Sequence, residues 1–317
     1  MSQESAIVDK LLTGVSNAHI PHGFIAEQIL TPLSVAETTG KIGKYGNSHL
    51  RIISNTKIVG KGKYPMVSSQ TRLSDTYDVE THGLFDIITP KEYRNVSKPF
   101  DIESDVTRGL TGHLQLGKEK ALADALFDTS IITQNTTLTG NAQYNNLTHA
   151  DSDPLGDALV ARSAIRDKIG HAPNIAIMSG KTFDTLSYHA QILDKLGFKD
   201  NRAGSLSNEE LARALGVKEV LVGEAMYNAA KEGQADNLQP IWGTGIVYAY
   251  REKKSARYQK TLGYDVTLSA GKLGGRRTVQ KWNETMPRGA KGVSVDDSYD
   301  QLLSDTECAY LIKNAIA

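Results

Sequence analysis

The sequence predicts an α+β chain in which an α/β unit is inserted between strand-rich segments. Three observations carry this reading. Phe100 to Asp128 reads as one long amphipathic helix, Lys41 to about Lys98 carries strand and turn signals, and helix and strand signals alternate from Asp153 to Tyr250. Alternating elements imply a sheet with helices packed on it, so the parts run as arm, hairpin, rod, α/β unit and closing strands.

Residues 1–40 hold few charges and no sustained period, and His19, Pro21, His22 and Pro32 interrupt local structure. They read as an arm held by neighbouring chains. Farther on, Leu50 to Val59 is rich in β-branched residues, and Leu73 to Val79 alternates Leu73, Tyr77 and Val79 with polar neighbours. Between them lies GKGKYP, Gly60 to Pro65, a turn-forming tip. A two-stranded projection of this kind buries little, so it is expected to rest on another subunit.

In the rod, Asp101 is placed to cap the first turn, and Glu103 and Asp105 lie where the helix dipole favours acids. Ile102, Val106, Leu110 and Leu114 repeat at four-residue spacing, Ala121 and Ala125 continue near that face, and Lys118 and Lys120 fall in later turns. The rod is roughly 40 Å long. Gly109, Gly112 and Gly117 lower its propensity without ending it. A helix of this length braces a surface more readily than it closes a pocket.

A polar stretch, Ser130 to Asp153, leads into the α/β unit. There Asp153 caps a helix with Pro154 at its first position, with Leu155, Leu159, Ile165 and Ile169 as its apolar face and Gly170 as its stop. Asn174 to Met178 is the next strand. Ser207 and Glu210 form a capping box before Leu211 and Leu215, Gly216 ends that helix, and Glu219 to Val222 and Ile246 to Tyr250 are further strands. From Arg276 to Ala317 strand signals return around a turn at Met286 to Gly292.

The chain has 317 residues, 39% hydrophobic and 23% charged, enough for about two cored domains. Lys plus Arg equals Asp plus Glu at 36 each, so no overall field drives it onto nucleic acid or membrane. One cysteine, Cys308, excludes an intrachain disulfide and fits a reducing compartment. No apolar run approaches the roughly 20 residues of a spanning helix, and MSQESAIVDK lacks the regions of a signal peptide, so a protein kept in the cytosol, or in something assembled there, is expected.

Catalytic signatures are absent. Ser179, Gly180, Lys181 and Thr182 follow an apolar strand, but a phosphate loop needs a glycine five residues before its Gly-Lys pair, and Ile175 stands there. His19 and His22 have no third ligand at a defined spacing. Neither a Gly-x-Ser-x-Gly elbow nor a His-Glu-x-x-His motif occurs. Asn135 and Asn146 head Asn-x-Thr matches that a chain without a secretion signal would not use. No catalytic, cofactor or metal residue is assigned.

Charge distribution says more. Residues 251–291 hold eleven Lys or Arg against three acids, and residues 75–105 hold eight acids against three bases. Opposed patches on a neutral chain suit association with copies of itself. The two segments are therefore expected to meet across subunits, with Arg276, Arg277 and Arg288 as contact residues, and Gly60, Lys61, Gly62, Lys63 and Tyr64 are expected to make contacts from the hairpin tip. The basic segment could instead meet nucleic-acid phosphates, but its aromatics are confined to Tyr258, Tyr264 and Trp282, too few for a stacking platform.

The run TYDVETHGLFDIITPKEYRNVSKPFDIESDVTRGLTGHLQLGKEKALADALFD from Thr76 to Asp128 resembles tailed-bacteriophage major capsid proteins of the Hong Kong 97-type fold. SDPLGD at Ser152 to Asp157, LGVKEVLVGEAMYNAAKEG at Leu215 to Gly233 and VSVDDSYDQLLSDTECAYLIKNAI at Val293 to Ile316 agree with it, so the resemblance spans nearly the whole chain. It implies an N-terminal arm (1–40), an extended hairpin loop with flanking strands (41–98), a peripheral domain with the spine helix (99–150), an axial domain (151–270) and closing peripheral strands (271–317).

The resemblance further implies hexamers and pentamers of an icosahedral shell around double-stranded DNA, bound without sequence specificity and without a membrane. Portal protein and separate scaffolding or decoration proteins are the implied partners, and the implied location is the virion capsid, assembled in the host bacterial cytoplasm. Residues 1–40 lack the charged helical scaffolding extension common in the family. Lys61, Lys63 and Asn283 are of the kind that the type member joins covalently, and the resemblance does not assign them to its linking positions. The alternatives are an encapsulin-like nanocompartment shell of the same fold, which a bound cargo peptide would distinguish, and a nucleotide-dependent α/β enzyme.

Overall fold

The computed structural model describes residues 7–19, 21–47, 52, 72–95, 101–197, 206–231, 233–254, 260–269, 276–284 and 289–317. In chain order the first half gives β1 (Ile7–Val8), α1 (Lys10–Ala18), α2 (Ala26–Ile29), β2 (Thr31–Val35), β3 (Thr39–Tyr45), β4 (Arg72–Asp78), β5 (Glu80–Ile88), α3 (Pro90–Asn95), α4 (Ile102–Leu126) and β6 (Asn135–Thr137). The second half gives α5 (Pro154–Ile169), β7 (Ile175–Ser179), α6 (Gly180–Ser187), α7 (Ala190–Leu196), α8 (Asn208–Leu215), β8 (Glu219–Gly223), β9 (Met226–Asn228), β10 (Leu238–Pro240), β11 (Ile246–Ala249), β12 (Gly263–Leu268), β13 (Arg277–Asn283), β14 (Lys291–Leu303) and β15 (Ala309–Lys313).

The first sheet is built on β14. Its residues 291–299 pair antiparallel with β5 along one edge. On the other edge β13 pairs with 291–297 and β12 with 299–303, so β13 and β12 lie end to end. Outside them, β1 pairs with β13 and β2 runs parallel to β12. Alternation along β13 and β14 turns Val279, Val293 and Val295 to one face, where they bury against Leu12, Ile88 and the Ile102, Val106, Leu110 and Leu114 stripe of α4.

The segment expected to be an arm therefore folds on its own chain from Ile7 onward. Asp9 caps α1 by accepting from the Leu11 and Leu12 amides, and Leu12, Ile25, Ala26, Ile29 and Leu30 are buried. Its apolar residues are split among elements of two to nine residues, too short for a period to show.

The second sheet runs β6-β15-β11-β7-β8, parallel at both outer pairs and antiparallel between. Every residue of β7 is buried, as expected for a strand covered on both faces. The caps are those the sequence predicts: Asp153 with Pro154 starts α5, Gly170 ends it at φ 77°, and Ser207 with Glu210 closes a capping box on α8. One position departs. Leu159 is 58% exposed beside Val160 at 55%, and Ala158 and Ala161 take the inward face.

Two boundaries also move. β12, placed by sequence in the 151–270 unit, belongs to the first sheet, and β15, placed among the closing peripheral strands, is inserted into the second. The apolar sequence of β15 explains this, since Leu311 and Ile312 bury between β6 and β11. β3 and β4 form a separate antiparallel ribbon, Thr39 opposite Asp78 through Tyr45 opposite Arg72. The predicted strand Leu50 to Val59, apart from Ile52, and the tip Gly60 to Pro65 lie outside the described residues. Among the described residues no helix is long and apolar enough to cross a membrane.

Candidate functional site

The most buried face of α4 is polar. Ser104, Thr107, Thr111, Gln115, Lys118 and Glu119 face inward with Leu122, Ala123 and Leu126, while the apolar stripe read from sequence is only half-buried. Its central polar groups find partners in distant parts of the chain. Thr111 and Ser16 share a hydroxyl hydrogen bond of 2.8 Å, joining α4 to α1.

Lys118, 2% exposed, donates to both carboxylate oxygens of Asp265 at 2.7 and 2.9 Å and lies 4.6 Å from the centre of the Tyr299 ring. Burial pushes the Lys118 ammonium below its ordinary pKa, and the Asp265 charge opposes that shift. Glu119, 1% exposed, accepts from the Ile25 and Ala26 amides at 2.8 Å each and from Trp242 Nε1 at 2.7 Å. Burial raises the Glu119 carboxyl against those three donors.

Beside them stands an ionic cluster. Arg277 donates through Nε to Asp297 at 2.8 Å and through Nη2 to Glu27 at 3.0 Å. Arg276 also donates to Glu27. With its amide oxygen turned inward, Gln115 accepts from both terminal nitrogens of Arg277. Burial raises Glu27, but the guanidinium of Arg276 and the neighbouring cations outweigh it and hold the carboxyl below its ordinary range.

This junction ties the N-terminal segment, the long helix, the first sheet and the segment leading into β11 into one body. Most of its charges are paired within the chain, which suits a mechanical joint, and Glu27, Gln115, Lys118 and Glu119 also line a cavity of about 250 Å³ with Phe24, Ala26 and Gln28. It places Arg276 and Arg277 beside Glu27 and Asp297 of their own chain. Arg277 is buried against its own chain, and its partners Glu27 and Asp297 belong to the segments that the sequence reads as arm and closing strands.

The opposed charge segments meet inside the chain too. Glu103 accepts from Lys281 at 2.7 Å and Lys291 at 3.0 Å, and Lys281 also reaches Asp9 at 2.6 Å. Gly60, Lys61, Gly62, Lys63, Tyr64 and Arg288 lie outside the described residues.

The weaker motifs resolve as local structure. Ser179 caps α6 by accepting from the Thr182 amide, and Lys181 reaches the Ala317 carbonyl oxygen. His22 stands 3.5 Å from Glu224, and no group of three or more metal-ligating side chains occurs among the described residues. Sequence reading missed a serine–histidine pair, Ser152 Oγ with His189 Nε2 at 3.0 Å. Both residues are buried.

No family model matches the chain. The major capsid protein of Burkholderia phage BcepMu is 27% identical over 260 residues, covering 80% of each chain. That of Pseudomonas phage JBD67 is 24% identical over the full length of both. Among solved structures, a phage-related protein of Bordetella bronchiseptica superposes with a TM-score of 0.73 at 21% identity, covering 98% of this chain and 99% of that one. A subunit of the bacteriophage PhiM1 mature capsid gives 0.52 at 12% identity, over 99% and 91%. By sequence and by fold the chain is a relative of the tailed-phage major capsid proteins of Hong Kong 97-type fold.

Proposed function

We propose that the chain is a major capsid protein that assembles as hexamers and pentamers into an icosahedral shell enclosing double-stranded phage DNA. The observation that carries this reading is the end-to-end similarity to the major capsid protein of Pseudomonas phage JBD67. The fold supports it, because the buried charge on α4 goes into holding distant segments of the chain together. Portal, scaffolding and decoration proteins are the proposed partners, and the proposed location is the virion capsid, assembled in the host bacterial cytoplasm.

The hairpin tip Gly60 to Tyr64 and Arg288 remain the proposed inter-subunit contacts. Residues 46–71 carry Arg51, Lys57, Lys61 and Lys63 and no acid, which favours an acidic surface on a neighbour. The test is electron microscopy of particles built from this chain, with analysis of their nuclease-protected contents. Closed shells that protect double-stranded DNA are expected. Shells that hold a cargo enzyme would support the nanocompartment alternative, and a dilution-resistant monomer would end the shell reading.

A further inference from the structure

β5 is an unusual edge. Seven consecutive residues, Glu80 to Asp86, are exposed, and Phe85 is 65% exposed. Long open edge strands with apolar side chains are templates for pairing with another chain, and monomeric proteins blunt them. Nothing among the described residues pairs with the outer side of β5.

The direction of its backbone groups follows from the ladder. The Ser298 amide donates to the Arg276 carbonyl on the β13 side, so even residues of β14 face β13 and odd ones face β5. Their partners are the even residues of β5, from Glu80 opposite Tyr299 to Ile88 opposite Lys291. Thr81, Gly83, Phe85 and Ile87 therefore turn their amides and carbonyls to the free edge. The Ile87 amide there is held by the Asp86 carboxylate of its own chain at 2.8 Å.

We propose that β5 is a two-fold docking edge, pairing antiparallel with β5 of a second copy so that Leu84 of both copies lies on the axis. This rests on the self-assembly reading. A two-fold contact requires a self-complementary surface, and this register supplies one. It sets Phe85 opposite Gly83, whose side-chain position is filled by the Asp296 carboxylate of its own chain, and His82 opposite Asp86, where a ring N–H meets a carboxylate. Centring on Gly83 would oppose Glu80 to Asp86, and centring on Phe85 would oppose Leu84 to Asp86. In the proposed register Thr81 and Ile87 of opposite copies exchange hydrogen bonds, as do Gly83 and Phe85. The Thr81 carbonyl of the second copy then takes the Ile87 amide, which frees Asp86 for His82.

The test is a Leu84→Cys variant. Non-hydrogen-bonded antiparallel pairs bring Cα atoms to about 4.5 Å, within disulfide range. The native Cys308 is buried and does not compete. Treated with copper phenanthroline, assembled particles of this variant should run mostly as dimers on a non-reducing gel. A Glu80→Cys control sets its thiols roughly 27 Å apart in the same register and should stay monomeric. Adding Asp86→Lys should cut the Leu84→Cys dimer yield at least tenfold, and adding His82→Glu should restore it. Intact particles without the dimer, or equal dimers in the control, overturn the edge and leave the shell standing. Dimers from subunits that never form particles uphold the edge and overturn the shell, and the absence of both particles and dimers overturns both.

Discussion

Arg277 and Asp297 stand directly opposite each other on the β13–β14 ladder, with Arg277 Nε 2.8 Å from Asp297 Oδ2 and both side chains almost without solvent. The pair locks the register of the first sheet from inside. Replacing Arg277 with Glu sets a third acid against Asp297 and Glu27, and breaking a buried pair costs about 3–5 kcal/mol. The variant is expected to unfold at much lower urea or to accumulate as insoluble protein. A stable soluble subunit that merely fails to assemble would return Arg277 to the surface role read from sequence.

Lys118 and Asp265 provide a second case with a sharper design. Lys118→Met alone strands a buried carboxylate, and Asp265→Asn alone strands a buried ammonium, each at a cost of about 3–5 kcal/mol. The double variant removes both charges and is expected to recover most of that loss. Chemical denaturation of the four proteins gives the coupling, and additive losses would mean that the two groups do not act as a pair.

Acid should loosen the joint at Glu103. Burial pushes this carboxyl up, but hydrogen bonds from Lys281, Tyr93 and Lys291 outweigh burial and hold it at about 2. The unfolded chain thus binds a proton that the folded chain refuses between about pH 4.5 and 2. The contribution of Glu103 is fully present above that window and is lost as pH falls through it. Glu103→Gln should lower the melting temperature at neutral pH and have little effect at the acid end of the window. A pH-independent difference would show that the lysines do not set the shift.

Gly109, Gly112 and Gly117 have open space where a Cβ would sit. Alanine at each is expected to stabilise the unassembled subunit by about 0.5–1 kcal/mol, because glycine weakens a helix interior through backbone entropy. Thermal melts of the single variants decide this. Destabilisation would point to a close approach from residues outside those described.

Much of the fold was legible because short-range chemistry wrote it. Asp101, Asp153, Ser207, Gly170 and Gly216 begin or end helices where their capping chemistry predicts. The junction was hidden because its signal is long-range. Lys118 and Glu119 look like surface residues beside a four-residue apolar period, and their partners Asp265, Ile25, Ala26 and Trp242 are distant in sequence. Opposite net charge in two segments was visible, but composition does not say whether they meet within a chain or between chains. Leu159 misled for a related reason: a helix whose inward positions are Ala158 and Ala161 packs closely without its larger neighbours.

The place of β15 sets an order of events in folding. β6 ends at Thr137 and β11 begins at Ile246, and β15, from near the end of the chain, lies between them. The β11–β7–β8 part can form early, but its β11 edge stays open until residues 309–313 have been synthesised and inserted. Non-local closure of this kind is slow, and the waiting edge is the place where a nascent chain is most exposed to wrong pairing. A chain made in many copies would meet its own unfinished neighbours at that edge until β15 closes it.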